Sequence, residues 1–198
     1  MPRKKLVYTH HFPYHIWARS NNREWFYLPT EVVWRIFAEE LVRITKSHEL
    51  LVHAFVLMNN HYHMIASAHE DFPLHDVMQI LQKSVSRAIN KRASRTNHVF
   101  GGPYKASLIK TDLYYATALR YVAQNPIRAK LSQNVEGYRF STFSHDDIPT
   151  CSPLSGIAAK ISTTDLSTWL NSECSTEQAL SISRGLKKTV FKPVFPRT

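Results

Sequence analysis

Residues 50–67 carry the feature that most restricts the fold: an almost unbroken apolar run from Leu50 to Met58, a pair of asparagines, and a β-prone stretch from His61 to Ser67. The run is too short to cross a membrane and too apolar for a sheet edge, so it reads as a central strand. Asn59-Asn60 marks a turn, which makes the whole a β-hairpin with the asparagines at its tip. A hairpin of that apolarity needs other elements to cover it.

The flanking sequence supplies them. Tyr14 to Arg19 is aromatic and β-prone, with Asn21-Asn22 as a turn behind it. After Pro29 and Thr30, the spacing of Val33, Phe37, Leu41 and Ile44 predicts an amphipathic helix to about Lys46. A second helix is expected from about Pro73 to Arg95, with Val77, Leu81, Val85, Ala88 and Arg92 tracing one face. Phe100-Gly101-Gly102-Pro103 breaks it, Tyr104 to Lys110 is a short extended candidate, and a third helix runs from Asp112 to about Gln124. Asn125-Pro126 should end that helix, because the residue before proline is pushed out of the helical region. The succession predicts an α+β fold, a ferredoxin-like antiparallel sheet with helices packed on it. Past about Pro149 the composition turns to Ser and Thr, ending in Lys187-Lys188 and Lys192. The expected division is therefore a 1–149 domain and a 150–198 extension with two short helices and a basic tail.

Charge narrows the partner class. With 25 Lys and Arg against 15 Asp and Glu the chain carries +10, which draws polyanions through long-range potential and counterion release. The cysteines, Cys151 and Cys174, lack the paired spacing of a zinc or thiol redox motif and read as free thiols. The start, Met-Pro-Arg-Lys-Lys, runs into Tyr8, His10 and His11 instead of an apolar signal core, and no later stretch is of membrane-spanning length. A cytoplasmic protein without a membrane partner is expected.

Three elements carry chemistry. On a strand, His61 and His63 point to the same face, and two neutral imidazoles side by side suit a divalent metal. Two polar histidines on a solvated sheet face would give the same pattern. In Tyr121-Val122-Ala123-Gln124-Asn125-Pro126, Tyr121 and Asn125 are one helical turn apart, so a phenolic nucleophile and an amide oxygen could share a site. The alternative is a packed aromatic with Asn125 as a helix C-cap. Tyr114 and Tyr115 are rivals on the same helix without an amide or acidic residue four positions on. Finally, Val77 to Lys110 holds Lys83, Arg87, Lys91, Arg92, Arg95, Lys105 and Lys110 without one Asp or Glu, with Phe100 and Tyr104 available to stack on unpaired bases.

Taken in order, Tyr14-His15-Ile16, Asn21-Asn22-Arg23, Leu57-Met58-Asn59-Asn60-His61-Tyr62-His63, Gly102-Pro103-Tyr104-Lys105-Ala106, Arg120-Tyr121-Val122-Ala123-Gln124-Asn125-Pro126-Ile127-Arg128-Ala129 and Tyr138-Arg139-Phe140-Ser141-Thr142 resemble the single-tyrosine HUH transposases, above all their REP-associated branch. The match extends from about Tyr14 to Phe143. It implies the HUH endonuclease fold, with His61 and His63 as metal ligands, Tyr121 as nucleophile and Asn125 as a further ligand. The implied cofactor is Mg2+ or Mn2+. The implied substrate is single-stranded DNA with a hairpin, cut and rejoined through a 5′-phosphotyrosine in the cytoplasm of a bacterium. Arg23, Lys83, Arg87, Lys91, Tyr104, Lys105, Arg120 and Arg128 are the expected DNA contacts. Relatives include homodimers and monomers. Asn59-Asn60 stands where relatives often have Pro-Asn, and Gly101-Gly102-Pro103-Tyr104 replaces a commoner Gln-x-Arg-Tyr. Two other functions fit the same residues: a domesticated DNA-binding protein of this fold, and a metal-dependent nuclease that uses water.

Overall fold

Strands β1 (Tyr14–Arg19), β2 (Leu51–Met58), β3 (His61–Ser67) and β4 (Lys105–Leu108) form one antiparallel sheet in the order β2-β3-β1-β4. Helix α1 (Thr30–His48) connects β1 to β2, and α2 (Leu74–Arg92) connects β3 to β4. This is the ferredoxin-like α+β arrangement that the sequence pattern predicts. The computed structural model describes residues 6–151 and 166–192; the basic Met1–Lys5 start and parts of the 150–198 extension lie outside the described residues.

Period-two alternation gives the sheet two different faces. Tyr14, Ile16, Phe55, Leu57, Tyr62, Met64 and Leu108 pack under α1 and α2, together with Val33, Phe37 and Leu41 of α1 and Val77, Leu81, Val85 and Ile89 of α2. Each such large side chain, fully withdrawn from water, contributes roughly 1.5–3 kcal/mol. Ala54, Val56, Met58 and Ile65 face the other way, against Tyr115, Ala118, Leu119 and Val122 of α3 (Asp112–Ala123). The Thr111 hydroxyl caps α3 by accepting the Tyr114 N–H. His15, Trp17, His61, His63, Lys105 and Ser107 alternate with the first set and so belong to the α3 face.

Three sequence expectations need correction. β2 is an edge strand, not a central one. Its apolarity has another cause: the chain beyond Tyr138 runs along its outer border. Leu57 N–H donates to the Phe140 carbonyl, Thr142 N–H to Phe55 and Cys151 N–H to Val52, and Val56 bridges Ser141. The apolar face of α2 drifts to Ile89, leaving Arg92 exposed and Ala88 only partly buried, as a 3.6-residue period requires. Helix α3 does end at Ala123, close to the expected Gln124, but Asn125 is not pushed out of the helical region. A further turn, α4 (Asn125–Arg128), follows Gln124, and Pro126 sits in its first positions, where a missing N–H costs nothing.

Two short helices in the extension, α5 (Leu166–Asn171) and α6 (Thr176–Gly185), lie against α3. A reciprocal Ser175–Gln178 capping box starts α6. Leu170, Ile182, Leu186 and Phe191 share the α3-side core, and Val190 bridges Leu108 in parallel at the border of β4.

Candidate active site

The β2–β3 hairpin delivers His61 and His63 to one end of the α3 face. His61 begins β3 opposite Arg19, and His63 lies opposite Trp17. Their ring centroids are 5.2 Å apart and nearly perpendicular. The Asn60 side chain holds His61, with Oδ1 2.7 Å from Nδ1. His63 is buried and is held by a residue that motif reading did not select: His15 Nε2 lies 2.9 Å from His63 Nδ1. In both cases Nδ1 is engaged and Nε2 remains.

Burial depresses all three imidazoles, since charging them would need water that is not there. His15 falls to about 3, His61 to about 4 with the nearby Arg19 charge assisting, and His63 lies well below its usual range. At neutral pH they are therefore neutral, the form that binds metals. Neutral rings, a shared strand face and engaged Nδ1 atoms fit a divalent ion. Among the described residues no three His, Cys, Asp or Glu side chains converge as a metal group, so a third protein donor would have to be of another type, such as an amide.

Tyr121 on α3 stands against His63 and its partner His15. Its ring is edge-on to His63 at 5.9 Å and to His15 at 6.1 Å. The Arg128 guanidinium lies 4.3 Å from the ring centroid and donates to the Tyr121 carbonyl, so the turn formed by α4 folds back over the tyrosine. The rivals sit elsewhere: Tyr115 is buried beside His53, 3.3 Å from its hydroxyl, and Tyr114 packs on Phe191. Asn125 donates its amide N–H to the Tyr121 carbonyl at 2.9 Å and so does cap the helix, which leaves its oxygen for another partner. Gln124 is taken up entirely by structure, donating to the carbonyls of Leu170 at 2.7 Å and Ser172 at 2.8 Å.

The expected DNA contacts divide into groups. Lys83, Arg87 and Lys91 form an exposed stripe on α2, in the helical layer on the far side of the sheet from His63 and Tyr121. Tyr104 connects that layer to the site: its N–H donates to Gln82 of α2, and its neighbour Lys105 lies over the Trp17 ring at 4.7 Å. Arg23 is exposed beside the hairpin tip, its carbonyl accepting from Asn60 Nδ2 at 2.7 Å, in a turn where Asn22 and Arg23 take positive φ. Arg120 donates to the Ser172 hydroxyl at 3.0 Å and faces Trp169, so the extension engages it. Sequence reasoning missed Arg19, exposed and opposite His61, and Trp25, 69% exposed beyond the same turn. It also missed His15, although strand alternation separates it from Tyr14 and Ile16 and puts it on the site face.

Among the described residues no helix is long and apolar enough to cross a membrane. No curated protein matches the chain by sequence. Among solved structures, a REP-associated tyrosine transposase bound to a REP hairpin superposes with a TM-score of 0.59 at 16% identity, covering 72% of this chain and 83% of that one. That likeness shows a common fold. A candidate transposase from Deinococcus radiodurans R1 gives a TM-score of 0.42 at 15% identity, over 62% of this chain and 94% of that one, and adds nothing to the fold comparison. The model of the IS200-like transposases matches residues 8–125, which takes in the strand pair, both histidines and Tyr121. The chain belongs to the IS200-like transposase family.

Proposed function

We propose that this transposase cuts and rejoins single-stranded DNA carrying a hairpin, through a 5′-phosphotyrosine on Tyr121, with Mg2+ or Mn2+ held by His61, His63 and Asn125. Tyr121 carries the proposal: of the three tyrosines on its helix it is the one whose ring meets His63, and its hydroxyl makes no hydrogen bond among the described residues. A phenol placed over paired neutral imidazoles and left unengaged is suited to attack.

The Tyr121 oxygen bonds to phosphorus as the bond from phosphorus to the 3′ oxygen breaks. The phenolic proton is released and the departing 3′ oxygen takes one up. Reversal by another 3′-hydroxyl joins a new strand, so no triphosphate is consumed. A bound divalent ion would supply Lewis acidity toward the phosphoryl oxygen. Arg19 beside His61 and Arg128 over the Tyr121 ring add fixed positive charge at the same place. Arg23, Lys83, Arg87, Lys91, Tyr104 and Lys105 hold the strand, which would pass from α2 around the Lys105 end of β4. Residues 1–149 carry the DNA chemistry, while Trp169, Leu170 and Ser172 of the 150–198 extension brace the nucleophile helix through Gln124 and Arg120. The hairpin ligand of the superposed transposase supports the choice of DNA.

The test is incubation of the full chain with a single-stranded oligonucleotide containing a hairpin and its flank, with Mn2+, followed by denaturing electrophoresis. A denaturant-resistant adduct is expected. Cleavage without an adduct would identify a nuclease that uses water. Binding without cleavage would identify a DNA-binding protein of this fold.

A further inference from the structure

His15 has no role in the chemistry above, yet it is buried at the site, 1% exposed near the start of β1. Its contact with His63 is end to end: the rings lie within 18° of parallel, their centroids are 5.1 Å apart, and the facing nitrogens are 2.9 Å apart. Such a geometry is an in-plane hydrogen bond, not a face-to-face stack. A neutral imidazole carries one proton, so the bond has two forms. With the proton on His63 Nδ1, His63 Nε2 is a free lone pair. With it on His15 Nε2, His63 must carry its own proton on Nε2, which cannot then ligate.

The first form has a requirement of its own. His15 must then hold its proton on Nδ1, and that atom is buried without a partner. Opposite His15 in the β1–β4 register stands Ser107, fully buried, with a hydroxyl that is also unpartnered. Two orphaned polar atoms on paired residues of one sheet face are unusual, since buried polar groups nearly always find partners.

Resting on the metal assignment above, we infer that His15 and Ser107 are positioning residues of the metal site. His15 Nε2 accepts a hydrogen bond from His63 Nδ1–H and fixes His63 with Nε2 open to the ion, and one bridging water accepts from His15 Nδ1–H and donates to the Ser107 hydroxyl oxygen. Hydrogen-bond partners of this outer kind orient metal-bound histidines and typically govern about 10- to 100-fold in affinity.

The test measures Mn2+ binding to the full chain without DNA, by titration followed with electron paramagnetic resonance. His15→Phe keeps a ring but accepts nothing, and should lower Mn2+ affinity about 10- to 100-fold. His15→Gln, whose amide oxygen can accept from His63, should recover most of the loss. Ser107→Ala should show a smaller loss. Parent affinity in a folded His15→Phe protein overturns the inference. Should that variant not fold, nitrogen NMR of the parent loaded with Zn2+, a diamagnetic probe that favours imidazole, gives the same decision. A proton on His63 Nδ1 supports the inference, and one on His63 Nε2 overturns it. The control is His61→Ala with His63→Ala: parent Mn2+ affinity there removes the metal assignment itself. Loss there beside an unaffected His15→Phe removes only the part given to His15 and Ser107.

Discussion

Tyr121→Phe separates attack from everything else that the residue does. Among the described residues the Tyr121 hydroxyl forms no hydrogen bond, so removing it leaves no orphaned partner behind. The ring keeps its edge contacts with His15 and His63 and its place under Arg128. A surface cation over an aromatic ring contributes about 0.5–1 kcal/mol, and phenylalanine retains that term. Stability should therefore change by less than about 0.5 kcal/mol, as for substitutions that disturb no such feature. For a chain of this size that is a shift in Tm of under about 2 °C. Hairpin affinity should also be unchanged, while adduct formation falls below detection. Tyr121→Ala is the contrast: it loses the ring and its cation contact and should be less stable by about 1–3 kcal/mol. The assay is mass spectrometry of the peptide carrying the nucleotide, with calorimetry and a binding titration on the same preparations. An adduct on Tyr114 or Tyr115, or persistent adduct in Tyr121→Phe, refutes the reasoning.

Three further outcomes are expected. Lys83→Glu, Arg87→Glu and Lys91→Glu together should flatten the plot of log affinity against log salt by about 2 if each touches one phosphate of a single strand; an unchanged slope removes the α2 stripe from the DNA path. Trp25→Ala should weaken single-strand binding by about 1–3 kcal/mol without lowering Tm, because this exposed ring is free to stack on a base; equal affinity in a titration excludes it. His53, bonded to Ser67 and Tyr115, is lowered by burial to about 4 from 6.5. The unfolded chain binds the proton first, so its contribution is intact above pH 6.5 and is lost as pH falls toward 4, by about 3 kcal/mol at most. Denaturant melts across that window should be less steep in pH for His53→Gln, and an unchanged profile would place the acid sensitivity elsewhere.

The period-two and period-3.6 patterns were sufficient for the strands, the two long helices and the α+β layout, because each element buries one face and records it locally. The position of β2 was not legible: apolarity on both faces reports burial, and burial by a loop along the border looks the same as burial by a neighbouring strand. His61 and His63 could be put on one face from spacing alone, and Tyr121 with Asn125 on one turn from theirs. His15 was hidden for a different reason. It lies 48 residues from His63, and their meeting depends on the β1–β3 register, which no local pattern contains. The same applies to Arg120 and Gln124, whose partners Ser172 and Leu170 come from a stretch whose composition announced little beyond short helices.

The strip from Phe140 to Cys151 along β2 also limits how copies of the chain can meet. A bare sheet margin is a template on which another molecule can lay a strand, and here that template is already written over on one side. On the other side, Val190 occupies the Leu108 half of β4, and the remaining half carries Lys105, a charge that a matching lysine would repel. Continuous sheets across two molecules would require one of these native pairings to be peeled away, or two Lys105-bearing half-strands to be brought together. Assembly by domain swapping would begin with release of the strip, so conditions that loosen residues 140–151 are those in which self-association should first be seen.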